Sequence, residues 1–245
     1  MLAQHRRATV LLAAIWTVSA CAPTRPVQSP PTPLPPTPLP EIVDAAAQPA
    51  PAGAVVYALD PARSRLEARV YRAGPLARLG HNHVVTAGGA TGRAWVGATP
   101  ADSGFEVVVS VASLVVDDPA ARAAAGPDFA GEVPLSAREG TRANMTRPEV
   151  LDVATYPTIV LRCEALAGDW AAPRAPVDVT LRGVTRRIEV PVAIERSATM
   201  LTARGEFTLR QTDFGITPFS VAGGAIQVAD EVVLSFDAVA VAAER

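Results

Sequence analysis

Val177-Asp178-Val179-Thr180-Leu181-Arg182 and, just beyond it, Arg187-Ile188-Glu189-Val190-Pro191-Val192-Ala193-Ile194-Glu195 decide the fold class. In the first run Val177, Val179 and Leu181 fall on one side, with Asp178, Thr180 and Arg182 on the other. In the second, Ile188, Val190, Val192 and Ile194 share a face opposite Glu189 and Glu195. Side chains on an extended chain alternate with period two, so each run predicts a strand with one buried and one wet face, as in an antiparallel sheet. Gly183 between them can supply a bend or tight connection. Working outward, similar runs bounded by Gly, Pro, Asp and Asn occur at Val55–Leu59, Ser64–Arg72, Ala90–Val96, Phe105–Val116, Thr158–Ala165, Leu201–Arg210, Ala225–Val228 and Glu231–Val241. The stretch 54–245 therefore reads as one all-β domain, of a size that suits a β-barrel or a sandwich. Ser136 followed by Glu139 has the form of a capping box, and Pro148 suits a first helical turn. One or two short helices are expected between Ser136 and Leu151, and none elsewhere. Asp213-Phe214-Gly215 is expected to form a turn or bulge leaving a strand. The acidic pairs Asp117-Asp118 and Asp230-Glu231 read as solvated turns at strand ends.

The chain has 245 residues and a formal net charge of −2, and all 22 of its basic residues are Arg. So balanced a charge does not suit neutralisation of many phosphates, and no nucleic-acid partner is expected. The lack of Lys excludes a Walker A site and Schiff-base chemistry. The two cysteines, Cys21 and Cys163, provide no CxxC pair or disulfide framework within the chain. No Ser or Cys nucleophile motif appears, so neither catalysis nor a cofactor is expected.

The N-terminus reads as an export signal across 1–20. Arg6 and Arg7 precede a mostly apolar run from Ala8 to Ala20, too short to span a bilayer of roughly 30 Å as a helix. Val18-Ser19-Ala20-Cys21 resembles a bacterial lipobox, in which the cysteine thiol takes the lipid. This makes Cys21 the expected lipidation site and the membrane an expected partner through an N-terminal anchor. Ala22 in place of Asp favours the outer membrane, on the periplasmic face of the cell envelope. Residues 22–53 hold 11 prolines and repeat Pro-Thr-Pro-Leu-Pro at 31–35 and 36–40. Proline lacks an amide donor and fixes φ, so 21–53 is expected to be a lipidated, extended tether.

Four segments, taken together, carry a family resemblance. They are Tyr57-Ala58-Leu59-Asp60, the stretch from Val150 through Tyr156-Pro157 to Ile159, the stretch from Val179 through Arg182-Gly183-Val184-Thr185 to Arg187, and the stretch from Phe207 through Asp213-Phe214-Gly215 to Ile216. In this order they resemble the YceI-like family, and Val228–Leu234 fits its closing strand. The resemblance implies an exported, lipocalin-like, closed antiparallel barrel of about eight strands that binds a polyisoprenoid or similar long-chain lipid without turnover. Gly80-His81-Asn82-His83 departs from the family pattern, which often carries Gly-x-Phe here. Gly88, Gly89 and Gly92 keep the return strand, so the departure implies a more polar end to the pocket.

His81 and His83 are the expected ligand-contacting pair. On a strand they would share a face, where two imidazoles could meet a lipid head group or, with a third ligand, a metal. No metal site is marked, because nothing singles out that third ligand. Trp95, Phe207, Phe214 and Phe219 are candidates for lining the cavity, and Cys163, in phase with Ile159 and Leu161, reads as a small buried hydrophobe. Two rival readings remain open: a His-dependent metal-binding envelope protein, and a structural barrel that holds no ligand.

Overall fold

Leu181 and Val184 face each other across a two-residue turn in which Arg182 (φ 51°) and Gly183 (φ 71°) both lie in the left-handed region. Such a turn matches the right-handed twist of paired strands. Gly183 is required on a second count, since a Cβ there would sit 2.7 Å from the Tyr156 ring. The hairpin belongs to a computed structural model that describes residues 49–243. The expected export signal, Cys21 and nearly all of the proline-rich segment lie outside the described residues.

The strands are β1 (Val55–Leu59), β2 (Arg65–Ala73), β3 (His83–Ala87), β4 (Ala90–Val96), β5 (Gly104–Ser110), β6 (Leu114–Val116), β7 (Thr158–Cys163), β8 (Arg174–Leu181), β9 (Val184–Arg196), β10 (Met200–Arg210), β11 (Ser220–Val221) and β12 (Ile226–Ala242). Eight of them close an antiparallel ring in the order β1-β4-β5-β7-β8-β9-β10-β12 and back to β1. Closure depends on β12, which runs for 17 residues and is shared along one edge. Its last residues pair with β1 (Tyr57 with Ala242), and its earlier ones pair with β2 (Phe236 with Leu66). β3 and then β6 extend outward from β2. The fold is the expected all-β, lipocalin-like barrel, with extra strands.

The alternation in the opening hairpin is realised. Ala175, Val177, Val179 and Leu181 are buried on β8, and Val190 is buried on β9, while Glu189 and Glu195 are exposed. Ala225–Val228 and Glu231–Val241, read as two strands, are continuous in β12. The ladder to β2 slips between Val228 and Val232, a bulge that absorbs the polar Asp230-Glu231 step. Asp230 accepts there from the backbone N–H and the hydroxyl of Thr212, so it braces a turn.

Among the described residues there are two short α-helices, one where it was expected and one where it was not. α2 (Leu135–Met145) lies where a helix was expected, but Pro134 occupies its N-cap and no side chain caps it. Ser136 is already inside the first turn, so the Ser136/Glu139 box does not form. Residues 148–151 form turns rather than a second helix. α1 (Pro119–Ala124) was not expected at all. Asp118 caps it by accepting from the Ala120 and Ala121 N–H groups, and Pro119 takes the first helical position. β3 also escaped the sequence reading, being only five residues long between Gly80 and Gly88.

Candidate functional site

β8 and β9 contribute Val177, Val179, Val190, Val192 and Ile194 to the wall of a cavity of about 480 Å³ that runs through the barrel. That volume falls in the range of small-molecule sites. Phe105, Ile159, Leu161, Phe207 and Phe236 extend the apolar wall. Along β12 the lining reaches from Ile226 to Ala240. At about 3.3 Å per residue and a barrel tilt near 40°, this is a depth of roughly 35 Å. The cavity is therefore long and narrow, the shape of an extended chain.

Two of its polar lining residues stand where β3 begins. His81 and His83 both line the cavity. His83 opens β3, but His81 precedes the strand, so the two are not strand neighbours on one face. Their rings still lie 6.4 Å apart, centroid to centroid. Asn82 holds this approach by accepting from the Arg72 N–H and donating to the Asp128 carbonyl, bonds that replace a strand ladder. The third ligand that would turn the pair into a metal centre does not emerge. Among the described residues no cluster of three or more His, Cys, Asp or Glu side chains is placed to hold an ion.

Asp117 sits behind His83, and here the solvated-turn reading is overturned. Its side chain is fully buried, with Oδ2 2.6 Å from His83 Nδ1. Oδ1 accepts from the Val84 N–H (2.9 Å) and from Arg122 Nη1 (2.7 Å), and Arg122 is itself buried. The second acceptor of Arg122 Nη1 is the Asn82 carbonyl. Burial on its own would raise the Asp117 carboxyl. The hydrogen bonds from His83, Val84 and Arg122 outweigh that penalty and hold it below the usual carboxylate range. Its neighbour Asp118 does face the surface, as the cap of α1.

The candidate aromatics divide. Trp95, Phe207 and Phe219 line the cavity, whereas Phe214 is not among its lining residues. The turn bearing Phe214 packs on β9, β10 and β12, and the ring, 1% exposed, joins the core with Leu209 and Ile216. Trp95 is buried, and its indole Nε1 has no hydrogen-bond partner among the described residues. Cys163 is fully buried and bonds the Ala165 carbonyl, and burial pushes its thiol up to about 12. Asp117 and Arg122 were missed as functional residues, although Asp118-Pro119 signals a capped helix start that would have placed Arg122 on its first turn.

Comparison with known proteins agrees with this geometry. A model of the YceI-like domain matches residues 57–240. The chain belongs to the YceI-like family. The YceI-like barrel is similar to the structure of BcnA from Burkholderia cenocepacia, at 17% identity and a TM-score of 0.56, covering 74% of this chain and 98% of that one. It is also similar to a domain from Saccharophagus degradans described as polyisoprenoid-binding and implicated in plant cell wall breakdown. That match has 14% identity and a TM-score of 0.50, covering 77% of this chain and 99% of that one. No curated protein matches the sequence significantly.

Proposed function

We propose that this YceI-like protein binds a polyisoprenoid or similar long-chain amphiphile non-covalently inside the barrel, and performs no chemistry on it. The observation that carries the reading is the long apolar cavity, lined mainly by inward-facing residues of the barrel strands. A barrel filled by its own side chains would leave no such space. The S. degradans domain, of the same fold, is described as binding polyisoprenoids. Removing a chain from water yields about 25 cal/mol per Å² of apolar surface, so burying roughly 300 Å² of a tail contributes about 7 kcal/mol before ordering costs. His81 and His83, where β3 begins, meet the head, with Trp95, Phe207 and Phe219 against the chain. The test is native mass spectrometry with lipid extraction on the full-length protein purified from membranes. A stoichiometric long-chain lipid is expected, and a protein that carries none and binds no added prenol refutes the reading.

The same proposal places the protein in the cell envelope, anchored through lipid on Cys21, on the periplasmic face and at the outer membrane. The lipobox-like Val18-Ser19-Ala20-Cys21 and the proline-rich sequence after it support this. Cys21→Ser is expected to leave the precursor unprocessed and lipid-free. Unchanged processing and fractionation of that variant refutes the anchor.

A further inference from the structure

The barrel also specifies the chemistry of the ligand's polar end, an inference that rests on the lipid-binding reading above. We infer that the cavity takes a long-chain ligand whose head is a neutral hydroxyl, donating its hydrogen to Nε2 of His83.

The register of β2 and β3 sets the direction of the ring. His83 pairs with Val70, Val85 with Ala68, and all four line the cavity. His83 thus occupies the wall position two residues from Val85, with an imidazole where the pattern calls for an aliphatic side chain.

The tautomer follows from what lies behind it. Nδ1 is 2.6 Å from Asp117 Oδ2, and an ionised carboxylate accepts hydrogen bonds but cannot donate them. The neutral ring therefore keeps its hydrogen on Nδ1, and Nε2 presents a lone pair. Arg122 and the Val84 N–H fix the carboxylate from its other side, so the ring's orienter is itself held by two further bonds. Arg122 also neutralises Asp117, and the pair leaves no spare charge beside the imidazole.

Nε2 is reachable and unused. The His83 side chain is 16% exposed, and its one hydrogen bond among the described residues is the Nδ1 contact. An acceptor flanked by Val70 and Val85 pairs with a donor and repels another lone pair. A hydroxyl meets that demand, whereas an ether, a ketone or a phosphate oxygen brings a lone pair instead. Arg72, the cavity-lining guanidinium beside Gly80 and His81, donates to the Gly80 carbonyl at 2.8 Å.

The experiment titrates the full-length protein with three probes sharing one C20 isoprenoid tail: the alcohol, its methyl ether and its monophosphate. Displacement of a fluorescent long-chain probe reads binding. The alcohol is expected to bind about threefold to tenfold more tightly than the ether, the span of one net hydrogen bond, and the monophosphate no more tightly than the ether. In His83→Asn the amide keeps a donor toward Asp117 but stops short of the Nε2 position, so the alcohol should fall to the ether's level. Equal binding of alcohol and ether by the wild type, or a monophosphate that binds more tightly than the alcohol, overturns this inference and leaves the lipid-binding reading standing. Failure of all three to bind overturns both. The comparison on the wild type needs no variant to fold.

Discussion

Replacing Asp117 with Ala tests whether the cluster behind His83 is a structural strut as well as a positioning device. The carboxylate is fully buried and receives three hydrogen bonds, from His83, Val84 and Arg122. Its loss strands the Arg122 guanidinium, whose side chain is only 7% exposed, and leaves the fully buried Val84 N–H unpaired. Breaking a buried ion pair by removing one partner costs about 3–5 kcal/mol. With a urea m-value of about 2 kcal/mol/M, the unfolding midpoint should fall by roughly 2 M. Urea denaturation followed by far-UV circular dichroism and tryptophan fluorescence measures it. The double variant Asp117→Leu/Arg122→Met removes both charges together and should recover most of the loss. The effect also has a defined pH dependence. Because the Asp117 carboxyl is lower in the folded than in the unfolded chain, its contribution is complete above about pH 5 and is lost as pH falls through the folded value. The gap between wild type and Asp117→Asn should therefore begin to narrow below about pH 4 and go on narrowing as the pH falls through the folded value. A single-variant cost under 1 kcal/mol, or a double variant no more stable than the single, would show that the buried pair does not brace this end of the barrel.

Ala203 and Ala238 face each other across β10 and β12, and both line the cavity. Ala203→Phe should fill it, cutting co-purified lipid by at least half with stability changed by less than about 1.5 kcal/mol; undiminished lipid would place the ligand elsewhere. Cys163, with its thiol raised to about 12 by burial, should stay unmodified by a thiol reagent at pH 8 and react fully in guanidinium, as peptide mapping would show. A Cβ at Gly205 would lie 2.5 Å from the Phe236 ring and 2.7 Å from the Pro191 carbonyl. Gly205→Ala should consequently cost about 1–3 kcal/mol, and a neutral outcome in thermal melts would mean that β9 and β10 are less closely apposed here.

Much of the barrel is legible in the order of residues alone. Alternation has a two-residue period that needs no partner to be recognised, so Val177–Leu181 and Ile188–Ile194 announce their faces locally. Gly183 announces a bend for the same reason, since tolerance of a positive φ is a property of glycine itself. His81 and His83 stand out too, as the only histidines in 49–243. Their setting does not. Asp117 lies 34 residues beyond His83 and meets it only because Val85 pairs with Val116 across β3 and β6. No local pattern specifies that register. Taken by itself, Asp117-Asp118 is a polar step at the end of a strand, and solvent is the ordinary place for it. The same limit separates Phe207 from Phe214. Both are aromatic residues in one short segment, yet the first lines the cavity and the second packs into the core on the turn that meets β9, β10 and β12. Sequence by itself determined the long alternating strands, their inward faces and the candidate imidazoles, because these depend on the chain's own period and chemistry. Tertiary structure alone decided the depth of the cavity, the burial of Asp117 and which nitrogen of His83 faces that carboxylate, because each depends on which distant strands lie side by side.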